Sequence, residues 1–558
     1  MTETKGCFKG RYIGTPGFIF RLGALAGGQP KPSSDERPPA SALSATIAGS
    51  DRGLPVLSPR RVFLAFALFL LVISTALRVY HLGNRSLWWD EAATANMSRG
   101  TLTQMLDETR SRFASPVVYP TILWLVEKVA KGSAAVRVPS LLASLLAVVV
   151  MLAMVRAKVS YSAALFAAAI LAVSASQIRY AQEVREYALA VLWGALLPYC
   201  LLRWEAAGFR SRHPIWLYVA LFFAPLIQYG LVFLAFGVLS TIVLRLLLTR
   251  DTPFRLSHLV FGSAILSAGA MLAFVLALRY QFHPGKVYWY LEANYFDAKR
   301  STLLHFLSTN TSGLLSFLIP EHIVRIGFVV GAVIFCIVRV FTRKCDTITL
   351  LVFTSVSITI CVSIAGAYPY GGVRHCLFLA PVVALFAGVV FADPLQRLNL
   401  KPSLQAAAIV AFLVLICLSG YRDIRAQSPY KEIEDTRSIL EQLKKSSAPN
   451  DQIWVNHAAV EAVEFYLQGK DHRFIYAKFH GDARQEYVPE LTRSISRRTN
   501  RLWLVFSHLQ QPSDLAEEKL IVSSLRSGWD VQSVITPTNA ALFVANRKAS
   551  AMPGTLQR

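Results

Sequence analysis

From residue 62 onward the chain alternates long apolar runs with short polar connections. A membrane-crossing helix needs roughly twenty apolar residues. Runs of about that length fall at 62–80, 137–155, 160–178, 187–203, 214–229, 231–248, 257–279, 321–341, 347–367, 376–393 and 404–420. They predict an α-helical polytopic membrane protein with about eleven transmembrane helices. The 214–248 pair is the least regular, because only Gln228-Tyr229-Gly230 separates two short runs. Pro116 to Val129 is shorter still, about fourteen residues, and contains Glu127 and Lys128. It predicts a juxtamembrane or re-entrant helix.

The pattern changes at both ends. Residues 1–58 are rich in Gly, Pro, Ser and Arg without a sustained period, which predicts a disordered basic cytoplasmic tail; 551–558 reads as a second disordered tail. Residues 59–422 form the transmembrane domain, with outer loops at 81–136 and 280–320. From about Asp423 to 550 the composition is that of a soluble domain. Strands are expected at 453–455, 474–476, 502–506, 531–534 and 541–545, with helices over 458–467 and 513–527. Strands alternating with helices predict a small α/β domain with a mainly parallel sheet. It has no Gly-rich phosphate loop and no nucleophile elbow.

Composition supports a membrane protein. The chain is 54% hydrophobic and 16% charged, where soluble domains carry about 25% charged residues. Its net charge of +23 could suggest nucleic acid, but the basic residues cluster in short loops between apolar runs, as in loops retained in the cytoplasm. A nucleic-acid partner is therefore excluded. Basic loops recur at Arg156/Lys158, Arg203/Arg210/Arg212, Arg245/Arg250/Arg255, Arg343/Lys344 and Arg397/Lys401. With Arg60-Arg61 before the first span, this puts the N-terminus in the cytoplasm. The C-terminal domain is then outside, periplasmic or extracellular. All seven cysteines lie in the tail or the membrane region, so neither a disulfide framework nor a Cys-based zinc site is expected.

Three polar constellations share the outer face in this topology. One is Leu87-Trp88-Trp89-Asp90-Glu91-Ala92, just past the first span. The second is Arg179 to Tyr187, and the third is Tyr368-Pro369-Tyr370-Gly371-Gly372-Val373-Arg374-His375. The segment 280–313 adds His283, Lys286, Lys299 and Arg300 among aromatic residues. Tandem tryptophans are ordinary interfacial anchors, and Arg185 and Arg374 could each be snorkelling cations. Carboxylates and guanidiniums converging beside lipid nevertheless suit one chemistry. Arginine grips phosphate oxygens as a fork, and a carboxylate can take a proton from a hydroxyl or amine nucleophile. The implied substrate is an amphiphilic phosphate at the membrane surface.

The motif Leu87-Trp88-Trp89-Asp90-Glu91-Ala92, together with Tyr180-Ala181-Gln182-Glu183-Val184-Arg185-Glu186-Tyr187-Ala188-Leu189, resembles the polytopic glycosyltransferases of type C architecture. The similarity is to bacterial relatives of the dolichyl-phosphate-mannose protein mannosyltransferases and lipid A aminoarabinose transferases (glycosyltransferase family 39-like). Arg374-His375 followed by Pro381 resembles a third, weaker motif. The likeness spans about 60–390. Two departures stand out: Ser115-Pro116-Val117-Val118-Tyr119 replaces a Pro-Pro-Leu-Tyr-like start, and Arg185-Glu186-Tyr187 replaces Arg-Pro-Tyr.

The resemblance implies an enzyme of the inner (cytoplasmic) membrane. Its donor is a sugar on a polyprenyl phosphate and its acceptor a lipid, glycan or protein on the outer face, with inversion at the anomeric carbon. Asp90 is then the general base, and Glu91 orients Asp90 or contacts the acceptor. Arg185 and Arg374, with Lys286 or His375, bind the leaving phosphate. Trp89, Tyr180, Gln182, Glu183, Tyr187 and Tyr370 line the substrate site. No metal ligand set is visible and none is required, although a divalent cation beside two acidic residues stays open. The alternative is a non-enzymatic lipid flippase or transporter subunit. Such a protein should carry ionisable residues at mid-membrane on broken helices, whereas 62–77 and 140–155 are almost free of charge.

Overall fold

Nearly all the apolar runs are helices in the computed structural model. It describes residues 58–548 except 113–114, 210–213, 249–255, 282–288, 320, 343–345, 399–400, 427, 468–472, 479, 481–485, 497 and 511. Of the tails expected at 1–58 and 551–558 only Ser58 is among the described residues, and Lys286 also lies outside them. The first eight α-helices are α1 (Pro59–Val79), α2 (Trp89–Met97), α3 (Leu102–Arg112), α4 (Val118–Val129), α5 (Val138–Ala153), α6 (Tyr161–Val173), α7 (Ala175–Ala181) and α8 (Tyr187–Ala206).

Among the described residues nine helices are long and apolar enough to cross a membrane, so this is a multi-pass membrane protein. The pair α6 and α7, bent by 61°, is together long and apolar enough for a broken tenth span or a re-entrant loop. The eleventh expected span, 214–229, is helical only over Ile215–Ile227. Pro225 sits in its last turn, and Gln228 turns to an extended conformation with ψ 135°. Among the described residues the count by length and composition is nine, or ten if the bent pair is one span, where the sequence suggested about eleven. The segment at 116–129 is not a span. Its helix α4 packs Tyr119 and Leu123 against Leu87, Ala92 and Ala95, and also against Ala462 and Phe465 from the C-terminal domain.

Two segments expected as loops are helical. Asp90 and Glu91 lie in the first turn of α2, where carboxylates favour the positive end of the helix dipole and the following alanines propagate the helix. Within 280–320, Leu303–Leu318 is a helix whose Thr302 side chain accepts from the His305 N–H. Its buried residues Phe306, Asn310, Leu314 and Leu318 recur every four positions, which puts them on one face.

The bend between α6 and α7 leaves carbonyls without helical partners, a costly state inside an apolar bundle. Arg78, fully buried near the end of α1, meets them: it donates to Leu171 O at 2.8 Å and Ala172 O at 2.7 Å. It also donates to Ser144 Oγ and Ser74 Oγ, both at 2.8 Å. A run of buried alanines on α6, Ala163-Ala164 and Ala167-Ala168-Ala169, then lets the helix Ala380–Arg397 approach closely. A Cβ on Gly388 would lie 2.3 Å from Ala163 O, so only glycine fits there.

The C-terminal domain is a five-stranded sheet of order β2-β1-β3-β5-β4. The strands are β1 (Gln452–Val455), β2 (Phe474–Tyr476), β3 (Arg501–Ser507), β4 (Trp529–Ile535) and β5 (Ala540–Arg547). The sheet is mixed rather than mainly parallel: β1 runs parallel to β2 and β3, while β5 is antiparallel to both β3 and β4. A short turn containing Asn539 at φ 50° closes β4 onto β5 as a hairpin, which leaves no room for a helical crossover. The central strand β3 is buried on both sides. Leu502, Leu504 and Phe506 face one core; Trp503 and Val505 face the other, with the helices Thr436–Ser446 and Val460–Leu467.

Candidate active site

Asp90, the second residue of α2, is held by two arginines from distant segments. Arg374 Nη2 lies 3.1 Å from Asp90 Oδ2, and Arg185 Nη1 lies 3.6 Å from the same oxygen. The Asp90 side chain is 11% exposed and that of Arg374 20%, so the cluster is partly open. Arg185 comes from the turn between α7 and α8 and also pairs with Glu186 at 3.4 Å. Burial opposes the charge of Arg185, but Glu186 and then Asp90 outweigh it and raise its pKa above the usual arginine value.

Aromatic faces complete the cluster. Tyr187 lies under both cations, 5.7 Å from the Arg185 and Arg374 guanidinium carbons to its ring centroid, and Trp88 lies 5.3 Å from Arg374. Tyr180 packs edge-on against Tyr187 at 5.4 Å. His375 reaches Tyr187 at 6.0 Å rather than Asp90, and its Nδ1 has no hydrogen-bond partner among the described residues. The loop that carries Arg374 is shaped by Gly371 at φ 134° and is pinned by Asn294, which accepts from Tyr370 N at 2.8 Å and donates to Tyr370 O at 3.1 Å.

Several other candidates point into the protein. Glu91 is fully buried against Arg137 at 3.1 Å and accepts the Val184 N–H at 2.9 Å. It holds the first turn of α2 and touches no open surface. Gln182 is spent on the end of α1, donating to Arg78 O at 2.9 Å and Tyr80 O at 2.7 Å. Glu183 pairs with Arg179 at 3.2 Å, and burial pushes its carboxyl above the ordinary range. Tyr370 is fully buried, its hydroxyl 2.9 Å from Thr311 Oγ1.

Sequence reasoning missed two sets of residues. The first is the core of cations behind α2. Arg137 donates to Leu82 O, Arg85 O and Ser86 O as well as to Glu91, and Arg85 donates to Gln182 O at 3.0 Å. The second comes from the C-terminal domain, which grips the loop before Asp90. Glu432 accepts the Ser86 N–H at 3.0 Å, and Tyr466 accepts the Leu87 N–H at 2.8 Å. Glu434 accepts the Trp89 N–H at 3.2 Å, and Arg437 donates to Gly83 O at 3.2 Å. Burial pushes the Glu432 carboxyl up to about 7, the Ser86 hydrogen bond opposing it.

Among the described residues no three His, Cys, Asp or Glu side chains converge as a metal would need. Asp90 is already in contact with two cations, and Glu91 is sealed behind it. This donor set does not fit a divalent cation.

Two crystal structures of ArnT from Cupriavidus metallidurans have the same fold. The form bound to undecaprenyl phosphate is similar with a TM-score of 0.51 at 15% identity, over 89% of this chain and 99% of that one. The apo form gives 0.53 at 14% identity, over 87% and 97%. The chain thus has the type C glycosyltransferase fold. No protein-family model and no curated protein sequence matches it.

Proposed function

We propose that the chain is a membrane glycosyltransferase that moves a sugar from a polyprenyl-phosphate donor to an acceptor at the outer face of the cytoplasmic membrane. The observation that carries this is Asp90, buried beside the partly exposed Arg374 and shared between Arg374 at 3.1 Å and Arg185 at 3.6 Å. Two guanidiniums beside a carboxylate are what a phosphate leaving group and an acceptor proton need together. The shared fold with a protein that holds undecaprenyl phosphate adds support.

The arrangement suggests an order of events. An arriving donor phosphate competes with Asp90 for Arg374 and Arg185 and draws them away, which frees a carboxylate oxygen. Asp90 then takes the proton from the acceptor hydroxyl or amine. The acceptor atom bonds to the anomeric carbon as the bond from that carbon to the phosphate oxygen breaks. The electron pair leaves on the polyprenyl phosphate, held by the arginines, and Asp90 later returns its proton to water. Attack opposite the leaving phosphate inverts the centre. Glu91 acts from behind, fixing the turn that presents Asp90. Whether the donor sugar is a hexose or a pentose is decided by assaying purified chain with a panel of radiolabelled polyprenyl-phosphate sugars; no transfer from any of them would refute the reading.

The flippase alternative has one feature in its favour, the break between α6 and α7. Arg78 is fully engaged there with carbonyls and serines, so the break is a sealed joint rather than a polar path.

Two expectations follow directly. Arg185→Lys should cut transfer at least about tenfold although charge is kept, because an ammonium cannot bridge phosphate and Glu186 with a planar fork. Arg374→Ala should raise the donor concentration needed for half-maximal rate. Near-parent turnover of both at low donor would leave them as structural cations. The second expectation concerns orientation. In a cysteine-free background, cysteines at the exposed positions Thr103 and Ser523 should react with an impermeant maleimide from outside, and one at Arg156 should not. Labelling of Thr103 and Ser523 from opposite sides would overturn the proposed topology.

A further inference from the structure

The C-terminal domain reaches the candidate site with a side chain as well as with its grip on the loop. His508 follows β3 and holds φ 60°, a left-handed conformation that costs a non-glycine residue energy and collects where surroundings impose it. Its Nδ1 lies 2.5 Å from Glu434 Oε1, and Gln510 Nε2 donates to the same oxygen at 3.0 Å. Glu434 is itself 1% exposed, and its other oxygen accepts the Trp89 N–H. A single buried carboxylate therefore links the imidazole to the residue preceding Asp90.

The imidazole is 28% exposed and lies 6.3 Å from the Trp89 ring. Its Nε2 has no hydrogen-bond partner among the described residues. Burial works against a charged ring. The Glu434 hydrogen bond and charge, with smaller contributions from Asp514 and Asp90, outweigh it and raise the pKa above the usual histidine value. A ring protonated on both nitrogens presents its Nε2–H on the side of α2 where Trp89 meets the sheet domain.

Resting on the transferase reading, we propose that His508, held by Glu434, is an acceptor-binding residue of this site. Its Nε2–H hydrogen-bonds an oxygen of the acceptor while Arg185 and Arg374 take the donor phosphate. The two substrates are then bound by different parts of the chain. The donor meets cations of the membrane helices and their connections, and the acceptor meets the sheet domain, with Asp90 between them.

Two variants separate the histidine's roles. His508→Asn suits the left-handed backbone and keeps a nitrogen near the position of Nδ1 for Glu434, but it removes the group that reaches outward. His508→Gln keeps an amide N–H near the position of Nε2. The assay uses purified full-length chain and the radiolabelled donor that the parent uses. The acceptor is supplied as a titrated detergent extract of envelope from cells lacking the chain.

His508→Asn should raise the amount of extract needed for half-maximal transfer about tenfold or more, the worth of one hydrogen bond from a charged donor. Affinity for undecaprenyl phosphate and the melting temperature should stay at parent values, and His508→Gln should recover part of the loss. Parent-like behaviour of both variants would overturn the assignment. So would a lower maximal rate at unchanged half-saturation, which would make His508 a prop for α2, or a fall in melting temperature that accounts for the loss. If the parent chain transfers no sugar, the transferase reading fails and takes this assignment with it.

Discussion

Asp90→Asn should lower sugar transfer by about 10²–10⁴-fold, the usual worth of a positioned proton acceptor, with the amount of protein in the membrane near that of the parent. The amide keeps the shape and can still accept a hydrogen bond from Arg374, but it has no basic lone pair to take the acceptor proton. The structure adds a second expectation. Asp90 shares its guanidiniums with the incoming phosphate, so its neutral replacement releases them. Undecaprenyl phosphate should bind Asp90→Asn at least as tightly as the parent while turnover collapses. Weaker lipid binding together with retained transfer would show that Asp90 only anchors the arginines.

Behind Asp90, the pair Glu91–Arg137 should govern stability. Both side chains are fully buried, and removing one partner of such a pair strands the other charge, at about 3–5 kcal/mol. Arg137→Met is expected to destabilise by that order, read as a lower melting temperature in detergent and less protein in the membrane. Glu91→Leu should do likewise. Replacing a buried pair by apolar groups is often neutral, yet the double variant should recover only in part. Arg137 also serves the carbonyls of Leu82, Arg85 and Ser86, and methionine leaves those buried without donors. Full recovery would mean that these carbonyl contacts matter little. Loss of turnover by Glu91→Gln at normal stability would move Glu91 from the core into the chemistry.

What the sequence showed and what it hid follow from what hydrophobic patterning encodes. Apolar runs say which end of a bundle a polar residue occupies, so Asp90, Arg185 and Arg374 could be grouped. They do not say how a turn is rotated. Gln182 and Glu183 therefore looked like Arg185, although they face the end of α1 and Arg179. Arg137 carried no local signal, because its partner lies 46 residues earlier. The helical start at Trp89 was masked by the tryptophans, which read as interfacial anchors. The β4–β5 hairpin carried turn residues, Pro537 and Asn539, but alternating strands and helices earlier in the domain suggested a parallel continuation. His508 and Glu434 carried no local signal, since their relation to Asp90 exists only after the sheet has docked.

The grip of the sheet domain on residues 83–89 also fixes an order in time. Ser86 meets Glu432 across 346 positions and Leu87 meets Tyr466 across 379. During synthesis the helix bearing Asp90 therefore emerges early and waits, its loop N–H groups without these partners, until residues 432–466 are made. Contacts of such long sequence separation form late because closing the intervening chain is entropically slow. The clamp that orients the reactive carboxylate is among the last parts to assemble, so an unfinished chain already in the bilayer still lacks a properly aimed site.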